Sequence, residues 1–214
     1  MTEKKPLTIR EASYSDLEQV SEILTKAFYN DPAFARITAA APATEGVLEQ
    51  IFDIQLEKHY FPKGVIDTGW DADGKLVTVA LWDKPGSSLS LADQAKMLPD
   101  YVRLFGRAIA TAAVRQFRTS AYHLKFPHWY LYTIAVDPDC QGGGYGSQML
   151  EHGIERAGDD PIYLEASTPR SAALYNRKGF VPLGLIPDRD SMVSETAMWR
   201  PGAMPNAEKD NSRK

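Results

Sequence analysis

Apolar and polar residues alternate from Leu7 to Glu11, the period of a half-buried strand. Leu17, Val20, Leu24, Ala27 and Phe28 then recur at helical spacing, and Ser15 with Glu18 three places on forms a capping-box pattern that predicts the helix start. Asn30-Asp31-Pro32 ends this helix, because proline disfavours helical geometry in the residue before it. A second amphipathic stretch covers 44–60, with Val47, Leu48, Ile51, Phe52 and Leu56 on one side. Val65–Trp70 and Leu76–Trp82 read as two strands, joined by a turn whose Asp73-Gly74 pair signals a hairpin. Residues 90–122 read as helical, with Pro99 dividing them into a short piece and a longer one, so 85–125 is expected to be a helical insertion. Long insertions are often placed beside a ligand site.

The second half of the chain is more sharply punctuated. Trp129–Val136 is strand-like throughout and is stopped by Asp137-Pro138. A glycine-rich stretch, 141–146, leads into a helix from about Gly144 to Ala157; Ile162–Ala166 reads as a short buried strand, and Arg170–Lys178 as a short helix closed by Gly179. Val181–Gly184 and Glu195–Trp199 are expected as closing strands, and from Pro201 the chain is polar and expected to be a disordered tail, 201–214. This order of elements predicts an α/β (α+β) fold, a mixed sheet with helices on both faces.

Composition changes the picture mainly by exclusion. With 214 residues, 43% of them hydrophobic and 24% charged, the chain suits one domain, 7–200, that carries an insertion. Its formal net charge of −4 offers no positive field for nucleic acid, which is excluded as a partner. The single Cys140 forms no internal disulfide or multi-cysteine zinc site, and His123 and His128 lack a third ligand at metal spacing, so no metal is expected. Lys4 and Lys5 precede no long apolar stretch, and the run 108–114 is far short of the ~20 residues that cross a bilayer. A cytoplasmic protein with no membrane partner is the expectation, as a monomer or homodimer.

The segment that carries chemistry is Val136-Asp137-Pro138-Asp139-Cys140-Gln141-Gly142-Gly143-Gly144-Tyr145-Gly146-Ser147. A strand runs into a turn, then into glycines, then into a helix. Glycines let backbone N–H groups converge without side chains in the way, and the helix N-terminus adds partial positive charge, so the stretch suits a phosphate-bearing ligand. A nucleoside-triphosphate loop needs Lys-Ser or Lys-Thr after its last glycine, where this chain has Ser147-Gln148; a dinucleotide fingerprint needs glycine at the sixth place from Gly142, where it has Ser147.

Gln141, Gly144 and Gly146 instead resemble the acetyl-coenzyme A motif of the GNAT superfamily of N-acetyltransferases: Gln or Arg, two residues, Gly, one residue, Gly or Ala. The resemblance continues in 132–138, similar to the family's fourth strand and exit turn, and in 168–180, similar to its late helix with Leu-Tyr-x-x-x-Gly-Phe. Within the superfamily, Phe126-Pro127-His128-Trp129-Tyr130-Leu131, Leu164-Glu165-Ala166-Ser167 and the insertion resemble the puromycin N-acetyltransferase-like branch.

The resemblance implies a sheet of six to seven strands, mostly antiparallel and splayed between strands 4 and 5, and direct transfer from acetyl-CoA to a primary amine in a ternary complex. It places the pyrophosphate on Gln141, Gly142, Gly143, Gly144, Tyr145, Gly146 and Ser147, and the pantetheine arm and acetyl carbonyl on the main chain of Ile134, Ala135 and Val136. Tyr175 takes the place of the general acid that protonates the leaving thiolate. Thr168 stands where many members carry an asparagine that contacts the coenzyme, so a hydroxyl takes the amide's place in a weaker contact. The amine must arrive uncharged; Glu165 is the first candidate base, ahead of His128, Tyr130 and Tyr132, and a structural role for Glu165 stays open. Tyr29 and Asp31 fall in the substrate-facing loop with Tyr130 and Tyr132 nearby, although Asp31 is equally explained as a helix-end residue. The acceptor implied is a small-molecule amine, such as an antibiotic or toxic metabolite, with a peptide or protein amine, or a non-catalytic coenzyme-binding role, as alternatives.

Overall fold

The computed structural model describes residues 5–43, 45–87, 91–110, 125–186 and 195–202. Its frame is a seven-stranded sheet in the order β1-β2-β3-β4-β5-β7-β6. The strands are β1 Thr8–Glu11, β2 Val65–Trp70, β3 Leu76–Asp83, β4 Trp129–Val136, β5 Ile162–Ala166, β6 Val181–Ile186 and β7 Glu195–Arg200. Every neighbouring pair is antiparallel except β4 and β5. The helices are α1 Leu17–Phe28, α2 Pro32–Thr38, α3 Val47–Gln55, a single turn α4 Phe61–Lys63, α5 Leu91–Phe105, α6 Tyr145–Ala157 and α7 Pro169–Arg177.

Alternation along the strands sorts the core into two layers. Val79 and Leu81 of β3 turn toward α1, α2 and α3, where they meet Val20, Leu24, Phe34 and Phe52. Ala80 and Trp82, one residue out of step, turn to the opposite face and meet Met149 and Leu150 of α6 and Tyr175 of α7. Helices therefore cover both faces, as the order of elements predicts. Trp82 is fully buried and lies so close to α6 that only glycine fits at 153, since a Cβ there would stand 2.1 Å from the indole. Arg156 of the same helix stacks on Trp82 and Trp129 and ion-pairs with the fully buried Asp67 at 2.6 Å.

Three sequence expectations are corrected and one is extended. The first helix begins earlier than Ser15: Asp16 accepts from the Ser13 N–H at 2.7 Å in a short 3-10 turn, and Arg10 holds the same carboxylate at 2.7 Å, which favours this box over Ser15 and Glu18. Asn30-Asp31-Pro32 stops α1 but also starts α2, with Asp31 as N-cap and Pro32 at the first position, a place where proline's missing N–H is harmless. Pro99 does not divide the insertion; α5 runs through it, held on either side by Lys58, which pairs with Asp100 and donates to the Lys96 carbonyl at 3.5 Å. The irregularity comes at Gly106 (φ +52°), where a 3-10 turn begins. Finally, the second amphipathic stretch ends in a π turn, Leu56–Tyr60, and not in regular helix.

The insertion packs through Phe105, Tyr101 and Leu104 on Val47 and Ile51 of α3. Expectations that concern 88–90, 111–124 and 203–214, the remaining parts of the insertion and most of the tail, lie outside the described residues.

Candidate active site

Between β4 and β5 the sheet opens. The two strands pair only from Trp129 with Ile162 to Leu131 with Leu164. Just beyond, the register with β3 shifts, because Trp82 faces Leu131 while Leu81 faces Thr133, so Tyr132 is an extra residue in β4. Burial shows the same irregularity: Leu131 and Ile134, three apart, pack on the α6 layer, while Tyr132 and Ala135 pack on the α1 layer. A β-bulge bends the strand that carries it. The result is a fork with Tyr132–Val136 on one arm and Glu165–Ala166 on the other.

The main chain lining the fork follows from strand alternation. Asp137 N–H donates to the Val77 carbonyl at 2.9 Å, so Ala135, two residues back, also faces β3, where its carbonyl accepts from Thr78 Oγ1 at 2.7 Å. Ile134 and Val136 turn their N–H and C=O groups the other way, into the fork. Of the three residues expected to bind through the main chain, Ala135 is thus engaged by β3 and the flanking two face the opening.

Below the fork lies the glycine turn. Asp137 accepts from the Asp139 N–H at 3.0 Å and pairs with Lys75 at 2.9 Å, which pins the strand exit. Gly142 (φ +91°) and Gly144 (φ +77°) adopt left-handed backbone that other residues avoid. Gly144 is the N-cap of α6 and has no side chain to satisfy the first amides, so those of Tyr145, Gly146 and Ser147 have no intrahelical acceptor, a geometry that suits an anion. Gly146 approaches β4 so closely that a Cβ would lie 3.1 Å from Val136 Cγ2. Tyr145 is buried beneath Gly143 and shapes the turn from inside. Gln141 is exposed at the entrance. Lys5 closes over the turn, its N–H bonding Gly143 O at 3.2 Å and its carbonyl accepting from Gln148 Nε2 at 3.0 Å. Cys140 sits aside, 3.4 Å from Lys75 Nζ.

Two groups of titratable side chains flank the fork. On the α7 side, Tyr175 is buried against Phe180, with ring centroids 5.8 Å apart; burial, and then the charge of Asp31, push its pKa well above the ordinary tyrosine value. Asp31 lies near because it caps α2, accepting from Ala33 N at 2.8 Å, and because its second oxygen accepts from Ser167 Oγ at 2.6 Å. Thr168 is the N-cap of α7, and its hydroxyl accepts from Ser171 N at 3.1 Å. Tyr29, by contrast, is 74% exposed.

On the opposite face, Glu165 accepts from the Tyr130 hydroxyl at 2.7 Å. Tyr130 and Tyr132 both face this layer, with centroids 6.2 Å apart, and Tyr132 stacks on Tyr60 at 5.5 Å. The π turn sets this up: it carries Tyr60 onto Tyr132 and His59 onto Asp83, Nε2 to Oδ1 at 2.6 Å. Burial, with the nearby carboxylates Asp83 for Tyr60 and Glu165 for Tyr130, raises both phenols well above their ordinary value. Sequence reasoning missed Tyr60, His59, Asp83 and Ser167. The first two read as the end of an ordinary helix, and nothing local marks Ser167 as the partner of a residue 136 positions earlier.

The sequence profile of the Acetyltransferase (GNAT) family matches residues 48–180. The chain belongs to this family. It is accordingly an acetyl-CoA-dependent acyltransferase, and the seven-stranded sheet with its single parallel pair is the GNAT fold. A crystal structure described as histone acetyltransferase HPA2 and related acetyltransferase, from Corynebacterium glutamicum, is 42% identical, with TM-score 0.78 over 94% of this chain and 98% of that one. A phosphinothricin acetyltransferase from Sinorhizobium meliloti in complex with AcCoA shares the fold at 17% identity and TM-score 0.54, over 97% of this chain and 92% of that one. An uncharacterized protein of Mycobacterium leprae is 42% identical over 59 residues, which are 27% of this chain but only 16% of that protein. Among the described residues no helix is long and apolar enough to cross a membrane, and no cluster of three or more metal-ligating side chains occurs.

Proposed function

We propose that the chain is a cytoplasmic enzyme, one domain over 7–200, that acetylates the primary amine of a small molecule. The observation that carries this reading is the fork itself, with open main-chain groups on one arm, a glycine turn below it, and a phenol and a carboxylate on its two sides. The residues present fit a pyrophosphate: the free amides at Tyr145, Gly146 and Ser147 converge at a helix N-terminus, while a side chain at 143 would meet the Tyr145 ring and one at 146 would crowd Val136. Gln141 to Ser147 would hold that group, and Ile134 and Val136 the arm attached to it; Thr168, already committed to capping α7, is left a minor part. Acetyl-CoA supplies the thioester whose acetyl group is transferred. Donors fixed in place around developing charge, as the Ile134 and Val136 N–H groups are, commonly make a large catalytic contribution.

Tyr175 serves as general acid. Its raised pKa keeps the hydroxyl protonated at neutral pH, ready to donate to a leaving thiolate. Glu165, fixed by Tyr130 at the opening of the fork, takes the amine's proton, and Tyr132 lines the same side. Asp31 acts here mainly through Ser167 and α2. The likeness of Phe126–Leu131, of Leu164–Ser167 and of the insertion to the puromycin N-acetyltransferase-like branch supports a small-molecule acceptor, in the manner of antibiotic resistance. A second reading, acetylation of a protein amine, draws on the description of the 42% identical Corynebacterium structure.

The test is a panel of small primary amines and of peptides with free N-termini or lysines, with thiol release from acetyl-CoA as readout. Turnover of small amines is expected. Turnover of peptides alone overturns the proposal in favour of the second reading, and coenzyme binding without turnover of either would make the chain a binding protein.

A further inference from the structure

Aromatic rings form an unbroken strip across the sheet face that carries Glu165. Tyr130 meets Tyr163 at 5.9 Å between centroids, Tyr163 meets His128 at 5.8 Å, His128 meets Trp199 at 5.9 Å, and Trp199 meets Phe126 at 5.2 Å. The registers Tyr130 with Tyr163 and Tyr163 with Trp199 make it a lateral row over β4, β5 and β7, with Phe126 and His128 in the segment leading into β4. A strip of this kind is ordinary core when it is closed. This one is not: Tyr163 is buried and Tyr130 largely so, but His128 and Trp199 are only partly buried, and Phe126 is 49% exposed. One end therefore reaches solvent, and the other reaches the Glu165 carboxylate through Tyr130.

We infer that His128, Trp199 and Phe126 form a second acceptor subsite, which takes an aromatic ring attached to the amine. The inference rests on the reading that the amine is received beside Glu165. Trp199 lies one strand over and two residues along from Glu165; at about 4.8 Å between strands and about 3.3 Å per residue, the two positions are about 8 Å apart. The matching acceptor is a primary arylalkylamine whose ring stands a few bonds from its nitrogen, with the ammonium attracted by the carboxylate and the ring packed against the solvent-reaching end of the strip at Phe126, His128 and Trp199. A simple alkylamine meets only the first half of this site.

The experiment compares phenylalkylamines of one to five methylenes with n-alkylamines of equal length, in the wild-type protein and in Trp199→Leu and Phe126→Ala. Phe126 is exposed enough that its truncation leaves the core intact. In wild type, kcat/KM is expected to peak at an intermediate phenylalkyl spacer, at least tenfold above the matched alkylamine. Both substitutions are expected to raise the acceptor KM for the phenylalkylamines about tenfold, while alkylamine turnover and the KM for acetyl-CoA stay unchanged. Equal turnover of aryl and alkyl amines, or equal losses for both in the variants, overturns the subsite and leaves the proposed function standing. No turnover of any small amine overturns both.

Discussion

Replacing Tyr175 by Phe removes one hydroxyl from the α7 side of the fork and leaves the ring packed on Phe180. No described hydrogen bond is broken, so the folding free energy is expected to change by less than about 1 kcal/mol. Catalysis is expected to suffer far more, since a positioned proton donor contributes roughly 10²- to 10⁴-fold to rate. A hundredfold loss corresponds to about 2.7 kcal/mol in the barrier. Single-turnover thiol release, measured with the amine that the screen identifies, isolates the chemical step from product release. The pH dependence adds a second arm. Burial and Asp31 raise the phenol pKa, so the donor form persists to higher pH than for a free tyrosine, and the wild-type rate should show no alkaline fall from this group between pH 7 and about 9.5. Undiminished single-turnover rates in Tyr175→Phe would refute the assignment. A rate loss that tracks a large fall in melting temperature would refute it too, by making the residue structural.

Three further outcomes are expected from the packing and the buried charges. Gly153→Ala drives a Cβ to 2.1 Å from the Trp82 ring, and such overpacking is expected to cost about 3 kcal/mol, or roughly 6 to 12 °C in melting temperature; a shift under about 2 °C would show that the helix yields freely. Asp67→Leu or Arg156→Met alone leaves a charge without its partner in the interior and is expected to cost about 3 to 5 kcal/mol in urea denaturation, whereas the double substitution should cost less than either single one; additive losses would contradict this. Tyr60, Tyr130, Tyr163 and Tyr175 all have pKa values raised in the folded state, mainly by burial, and Tyr101 is pushed up to about 12. The folded chain thus holds these protons more tightly than the unfolded one, so their contribution is intact below about pH 10 and is lost as pH rises further. The urea midpoint should fall steadily from pH 9.5 to 11.5, with phenolate absorbance appearing along with unfolding; a flat midpoint would show that these phenols are not protected by the fold.

How much of this was legible in the sequence depended on whether backbone or side chains decide the feature. β4 and β5 match their predicted ranges, Trp129–Val136 and Ile162–Ala166, because continuous apolar strands bounded by Asp137-Pro138 and Ser167 leave little choice. The glycine turn was legible for a related reason: left-handed φ at Gly142 and Gly144 selects glycine, so its conformation is written in letters. Local spacing failed where two answers were locally equal. Ser13 with Asp16 and Ser15 with Glu18 are the same motif two residues apart, and the choice was made by Arg10, from β1. Pro32 and Pro99 each read as breaks, yet one opens a helix and the other is tolerated within it. Asp31 caps α2 while Ser167 holds its carboxylate, and Lys58 braces α5, so both outcomes depend on residues distant in the chain. The site shows this division most clearly. The half proposed to bind the anion is made of N–H groups in a turn whose glycines could be read ahead, while the half proposed for the acceptor depends on a π turn that brings Tyr60 to Tyr132, a bulge at Tyr132 and a row of rings drawn from β4, β5 and β7. A family can share the first half through a short motif. The second half is set by how distant segments meet, and its chemistry has to be sought in that packing.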